Sequence, residues 1–219
     1  MANTASVIFL AFLTLLEHSE SFSNDELTDQ VCSAVGTGGI NLFDLYGRAK
    51  RFPPTPVLEE VAFQKKTYAS PEYMPEQQRW KKEFAVDGND ATYYHSALVL
   101  NPWWLVDLGE QKTIYQVLLL SRQDCCPERF HDVEIRIGNE LKTTGDFNAY
   151  KLIHFYTGPY SSAEGFLQCS FYNGITGRYL SIQIKNSMEY LQLNTVRVYA
   201  ARKAPTHQNE LDSIYAQRK

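Results

Sequence analysis

Positive charge is in short supply: 21 Lys and Arg face 25 Asp and Glu, a formal net charge of −4 at pH 7. Binding to a phosphate backbone calls for a clustered excess of Lys and Arg, so a nucleic-acid binder is excluded at the outset. Cysteine is scarce too, with 4 in 219 residues. That is too few for a disulfide-dense miniature scaffold, and a chain this long buries a core without one. The signatures of common catalysts are missing: no Gly-x-Ser-x-Gly elbow, no His-Glu-x-x-His helix and no phosphate loop. Cys125, Cys126, His131 and Cys169 do not repair the lack, because adjacent cysteines do not have the spacing of zinc pairs. An enzyme is therefore disfavoured. The chain also has no Asn-x-Ser/Thr sequon, no internal repeat and no low-complexity block.

Apolar and aromatic residues are plentiful, at 44% and 13%. A chain of this composition buries enough surface to offset its conformational entropy, and its length suits one domain with extensions. The longest apolar run is Val7–Leu16, followed by polar Glu17, His18, Ser19 and Glu20. Too short to cross a bilayer, it fits the core of a secretory leader over residues 1–21, with Ser19, Ser21 and Ser23 as small residues for cleavage. The mature protein is then expected to be secreted and extracellular, in a compartment where cysteines pair. No later stretch has the length of a membrane span.

Residues 22–56 read as an amino-terminal extension. They hold one candidate helix, Asp25–Val35, and end in the stiff Pro53-Pro54-Thr55-Pro56 linker. From Val57 to Ala201 the pattern changes to short runs of period two, such as Val133-Glu134-Ile135-Arg136-Ile137 and Leu180-Ser181-Ile182-Gln183-Ile184. With Thr195–Tyr199 and the segments EEVAFQKKTYA, PWWLVDLG, TIYQVLLLS, KLIHFY and EGFLQCSF, the sequence predicts an all-β domain of about eight strands, an antiparallel sandwich. Residues 202–219 form a polar tail.

The densest chemistry is Ser121-Arg122-Gln123-Asp124-Cys125-Cys126-Pro127-Glu128-Arg129-Phe130, directly after an apolar strand, where a sandwich exposes its binding groups. Adjacent cysteines can close a small, stiff disulfide ring that serves as an apolar platform; each can equally pair elsewhere, or both stay reduced. Arg122 and Arg129 carry planar forks of donors suited to vicinal hydroxyls or a carboxylate, and Asp124 between them is a natural neutraliser. The plainer alternative is a solvated ion-pair cluster. Upstream lies His95, after Tyr93 and Tyr94. Aromatics beside an imidazole and guanidinium forks fit a sugar, with ring faces on C–H patches and polar groups on hydroxyls.

The spacing from His95 through 26 residues to Arg122, one residue to Asp124 and four residues to Arg129, with Cys125-Cys126 after the aspartate, resembles the fucose-binding motif of the F-type lectins, or fucolectins. The resemblance continues through Ala85–Asn89, Asn101–Leu108, Ile135–Gly138, Gly177–Tyr179 and Leu191–Leu193, about two thirds of the chain. It implies a jelly-roll sandwich related to the discoidin-like domains. It implies that His95, Arg122 and Arg129 hydrogen-bond the ring oxygen and hydroxyls of L-fucose, that a closed Cys125–Cys126 ring packs on the sugar, and that Tyr93 and Tyr94 surround its methyl group. The family also binds calcium, which by resemblance would fall to Asp87 and Asn89 with the backbone near Asn194 and Thr195. Many members have Cys-Glu where this chain has Asn194-Thr195, and losing a carboxylate weakens a hard-cation site. The stretch from Asn89 to His95 is several residues shorter than in the fucolectins and lacks the other cysteine of that pair. Cys169 matches a family cysteine whose usual partner has no counterpart, which leaves Cys32 either to tie the extension to the domain or to link two chains.

The expectation is thus a secreted lectin for fucosylated glycans, touching membranes only through glycans, and engaged in recognising microbial or self glycans. Single monosaccharide sites are weak, so several sites would act together, for example in a homo-oligomer. The competing expectation is a discoidin-like interaction module that binds protein or phospholipid and has lost fucose.

Overall fold

The computed structural model describes residues 30–35, 56–75 and 80–203. The leader, the rest of the extension and the tail beyond Lys203 lie outside the described residues, as do residues 25–29 of the candidate helix. Among the described residues the chain is all β, with 3-10 segments at Lys82–Val86, Pro127–Arg129 and Ser162–Glu164. The strands are β1 (Gln30–Val35), β2 (Leu58–Glu60), β3 (Lys66–Ala69), β4 (Tyr94–His95), β5 (Val99–Leu100), β6 (Trp103–Ser121), β7 (Val133–Gly138), β8 (Lys151–Tyr156), β9 (Phe166–Ile184), β10 (Met188–Glu189) and β11 (Gln192–Ala201).

All pairings are antiparallel, and the long strands β6 and β9 build both layers of the sandwich. Trp103–Asp107 of β6 lies between β3 and Tyr179–Gln183 of β9, which passes on to β7 and β8. Lys112–Leu119 pairs with Leu167–Gly177 of β9, while Ile114–Ser121 pairs with β11, and β11 carries β2 and β4 on its other side. Where the sequence predicts separate strands PWWLVDLG and TIYQVLLLS, the backbone bends rather than stops. Gly109 (φ 90°) takes the left-handed corner, its N–H donating to Asp107 Oδ1 at 2.8 Å, and the register shifts between Asp107 and Lys112. The same happens to EGFLQCSF and LSIQI, which join as β9. EEVAFQKKTYA does the reverse and divides into β2 and β3 around a turn with Gln64 at φ 53°.

Period-two alternation places the core. In β7, Val133, Ile135 and Ile137 are buried while Glu134 and Arg136 face outward, paired at 2.8 Å. These residues meet Leu180, Ile182 and Ile184 of β9 and Val196 and Val198 of β11 in one continuous core that also holds Trp104 and Tyr94. Trp104 satisfies its indole N–H on the Lys82 carbonyl at 2.9 Å, as a buried donor must.

The candidate helix over Asp25–Val35 is corrected for its described part. Residues 30–35 form β1, because the first half of β9 offers an open edge and β1 pairs along it from Gln30↔Phe171 to Val35↔Phe166. In that register Cys32 lies opposite Cys169, and the two are bonded. The thiol thus ties the extension to the domain rather than to a second chain. With a separation of 137 residues, the chain-entropy model gives this link about 5 kcal/mol. No helix among the described residues is long and apolar enough to cross a membrane.

Candidate functional site

Four parts of the chain meet at one end of the sandwich. They are the stretch after β3 that holds Tyr73 and Trp80, β4 with its flanks, the loop that leaves β6 at Ser121, and the turn from β10 into β11. Their meeting follows from pairing: Gln192 of β11 is opposite His95, and Leu193 is opposite both Tyr94 and Ser121. Ser121 adds a side-chain hydrogen bond to the Gln192 carbonyl at 3.3 Å.

His95 is 5% exposed and sits in a box of rings. Tyr73 stacks on it at 4.9 Å between centroids, Trp80 lies at 5.6 Å, Tyr93 at 6.4 Å, and Tyr190 meets it edge-on at 5.0 Å. Its Nδ1 is 2.7 Å from the Ser96 carbonyl. A carbonyl only accepts, so Nδ1 carries the hydrogen and Nε2 keeps a lone pair for a donor. The neutral form is favoured: burial lowers the His95 pKa from its ordinary 6.5, and the charges of Arg122 and Arg129 add to the effect against the opposing Ser96 bond. Both guanidinium groups therefore act on one imidazole.

Each arginine is held by a carboxylate and a ring. Arg122 donates from Nε to Asp124 Oδ1 at 2.7 Å and from Nη2 to Oδ2 at 3.1 Å, which leaves the Nη1 side of the fork for a second partner. Its guanidinium lies 4.3 Å from the centre of the Tyr93 ring. The Arg122 bond is the main reason that the Asp124 pKa is lowered, and the Arg122 pKa is raised in return. Arg129 lies 4.9 Å from the Tyr190 ring and 3.9 Å from Glu189. Two cations facing two carboxylates leave the cleft with little net charge.

Cys125 and Cys126 are bonded to each other. Cys126 adopts a left-handed conformation at φ 55° and starts the Pro127–Arg129 turn, in which the Arg129 N–H donates to the Cys126 carbonyl at 3.2 Å. The disulfide ring and the second arginine are thus parts of one local structure. Gln123 fixes the loop's base by donating to the Ser121 carbonyl at 2.7 Å and to Tyr160 Oη at 2.8 Å.

The structure brings together His95, Arg122, Asp124, Cys125, Cys126, Arg129 and Tyr93. It sends Tyr94 elsewhere, a correction to the sequence reading. Tyr94 is fully buried in the core, and its hydroxyl donates to the Ser70 carbonyl at 3.2 Å. The cause is parity: consecutive residues of a strand face opposite sides, so Tyr93 and His95 share one face and Tyr94 takes the other. Tyr73, Trp80, Tyr190 and Glu189 were missed. Tyr190 had a weak signal, its place just before the Leu191-Gln192-Leu193 block; Tyr73 and Trp80 had none beyond being aromatic.

The residues expected at a calcium site lie in the Asp87–Thr92 loop and at the start of β11. Asp87 accepts from the Asn89 N–H at 2.8 Å and from the Thr92 hydroxyl at 2.7 Å, and Asn89 Oδ1 accepts from the Ala91 N–H at 3.1 Å. The residue that reaches β11 is instead Asp90. Its carboxylate accepts from Thr195 Oγ1 at 2.6 Å and from Arg197 Nη2 at 2.7 and 2.9 Å, while Asn194 Nδ2 donates to its carbonyl at 2.7 Å.

The cleft and sandwich place the chain among the discoidin-like β-sandwich domains. A family model described as "NedA-like, galactose-binding domain" matches residues 84–182. Fucolectin-4 of Anguilla japonica is 35% identical over 122 residues, which cover 53% of this chain and 65% of that protein. The pentraxin fusion protein of Xenopus laevis is 31% identical over 129 residues, 56% of this chain and 30% of that protein. Among solved structures, an f-lectin (fucolectin) from the serum of Morone saxatilis superposes with a TM-score of 0.56 at 28% identity, covering 67% of this chain and 48% of that one. The chain thus spans less than two thirds of each of these relatives. Over about half of its length it is similar to the F-type lectins. The fucolectins and the f-lectin are lectins, a class that binds and does not catalyse, in keeping with the missing catalytic motifs.

Proposed function

We propose that this chain is a secreted lectin that binds terminal L-fucose on glycans. The observation that carries the reading is the neutral His95 acceptor, set between two oriented guanidinium donors and beside a closed Cys125–Cys126 ring. L-Fucose is 6-deoxy-L-galactose, a neutral sugar with patterned hydroxyls and one methyl group. An axial hydroxyl can donate to His95 Nε2 while accepting from Arg122 and Arg129, and the methyl has the rings of Tyr93, Tyr73 and Trp80 to pack on. Because Asp124 and Glu189 offset the two arginines, the cleft favours a neutral sugar over an acidic one. The relatives called fucolectins support the choice of fucose.

One such site supplies about −4 to −6 kcal/mol, so tight capture of a fucosylated surface requires several copies acting together. Recognition of microbial or self glycans is the corresponding physiological role.

The test is calorimetric titration of the oxidised protein with L-fucose and D-galactose, for the wild type and for Arg122→Ala. Fucose heat that disappears in the variant and is absent with galactose supports the reading. A folded wild type that gives no heat at millimolar fucose sinks it, and the protein- or phospholipid-binding module then becomes the hypothesis to pursue.

A further inference from the structure

We propose that the Arg197 guanidinium braces the Asp87–Thr92 loop in place of a divalent cation, and thereby positions the Tyr93–His95 wall of the sugar cleft. The loop needs a brace. Its residues 88–91 are exposed, the side chains of Asp87 and Asn89 bond, among the described residues, only within it, and it leads directly into Tyr93 and His95. What fastens it to the sandwich is Asp90. Arg197 and Thr195, two apart on β11 and so on one face, both donate to the Asp90 carboxylate, and Asn194 donates to its carbonyl. The guanidinium is itself seated over the Phe166 ring at 5.3 Å.

The same contacts disagree with a calcium site. Calcium gathers about six to eight oxygens turned toward one point. Here the Asp90 oxygens face N–H and O–H donors, the Asp87 carboxylate and Asn89 amide oxygen are spent inside the loop, and Asn194 presents its NH2 to a carbonyl. The Asn194 amide oxygen is buried without a partner, but one oxygen is not a coordination sphere. A positive group is already 2.7 Å from the carboxylate, and it would repel a second cation. Among the described residues the one trio of Cys, His, Asp or Glu close enough to share an ion is Cys32, His154 and Cys169, whose sulfurs are bonded to each other. Where the family pattern has a carboxylate, this strand has Thr195, and two residues on it has a cation. A hydroxyl thus stands where the family pattern has a metal ligand, and the guanidinium two residues on supplies positive charge to the same carboxylate.

The positioning half of the proposal rests on the fucose reading; the brace does not. The experiment uses the full chain stripped with chelator. Wild type is melted in millimolar calcium and in EDTA and titrated with calcium chloride alone, with equal melting temperatures and no stoichiometric heat as the expected result. A calcium-dependent rise in Tm, or one-to-one calcium heat, overturns the proposal. Asp90→Asn, Arg197→Met and the double variant are then compared. Each single change is expected to lower Tm by about 2–4 °C, the double by no more than the larger single, and Arg197→Lys to recover part of the loss. Losses that add in the double variant overturn it. Fucose titration at low temperature, where every variant is folded, reads positioning: Arg197→Met is expected to weaken binding several-fold and Arg197→Lys to restore it. Unchanged affinity in Arg197→Met overturns the positioning role. Should the wild type itself fail to bind fucose, the fucose reading falls while the melts still judge the brace.

Discussion

Lowering the pH tests the part assigned to His95 more sharply than removing the residue does. With Nδ1 bonded to the Ser96 carbonyl, any proton added to the ring goes on Nε2. That step converts the ring's one acceptor nitrogen into a donor and adds a third cation to Arg122 and Arg129. Only the neutral fraction binds, so the apparent dissociation constant is the intrinsic value divided by that fraction: about twofold weaker at the folded pKa and about elevenfold weaker one pH unit below it. Since burial and the two arginines place that pKa below 6.5, affinity is flat above neutrality and falls only in the acid range. Asp124 does not confuse the result, because Arg122 holds its carboxyl below its ordinary 3.8 and it stays ionised throughout. The assay is fucose calorimetry from pH 7.5 down to 4.5, with the His95 imidazole followed by NMR. Affinity that stays constant while the imidazole titrates, or that improves with acid, refutes the acceptor role. Stability carries its own sign. A depressed His pKa contributes stability that is fully present above the unfolded value of 6.5 and is lost as pH falls through the folded pKa. His154, also lowered by burial, acts in the same direction, so a His154→Gln control separates the two in melts.

Truncating Arg122 to Ala removes charge-assisted bonds worth about 1.5–3 kcal/mol, so fucose affinity should fall roughly ten- to hundredfold with little change in Tm. Asp124→Asn should give a smaller loss by freeing the fork to rotate, read by the same titration. The two adjacent tyrosines should separate function from stability: Tyr93→Ala weakens fucose binding with a small effect on the melt, whereas Tyr94→Ala costs about 3–5 kcal/mol in denaturant unfolding. Cys32→Ser should lower stability by about 2–5 kcal/mol, with the chain-entropy value as the upper end, and leave the fucose dissociation constant unchanged at temperatures where the variant is folded.

What could be read from sequence divides by distance along the chain. β7 was legible because its alternation is complete within six residues, and the same period marked Leu180–Ile184 and Thr195–Tyr199. The strand count was not, since Gly109 punctuates the sequence as a terminator yet serves as a corner inside β6. Local chemistry behaved alike. Arg122, Asp124, Cys125, Cys126 and Arg129 fall within one loop, so their convergence needed no knowledge of the fold. Tyr73, Trp80, Glu189 and Tyr190 come from other segments: the Tyr73 N–H donates to the His95 carbonyl at 2.8 Å and the His95 N–H to the Trp80 carbonyl at 3.4 Å, while Glu189 and Tyr190 arrive because β4 pairs with β11, choices made by tertiary packing. Parity could have removed Tyr94, for once Tyr93 is placed on the imidazole's face its neighbour must point inward.

Under the proposed brace, the loop before β4 is held by a different force from the one that the family pattern supplies. A shortened segment without its family cysteine and without the carboxylate after Leu193 has lost two of the restraints that the family pattern supplies. Each missing restraint is answered by a contact: the covalent one by Asn194 donating to the Asp90 carbonyl, the ionic one by Arg197 on the Asp90 carboxylate. An exposed ion pair alone contributes roughly 0–1 kcal/mol. Here it acts with a hydroxyl and an amide on a single residue, so the entropy of fixing Asp90 is met once while several bonds form. That arithmetic makes Asp90, rather than Asp87 or Asn89, the residue whose loss should loosen the cleft.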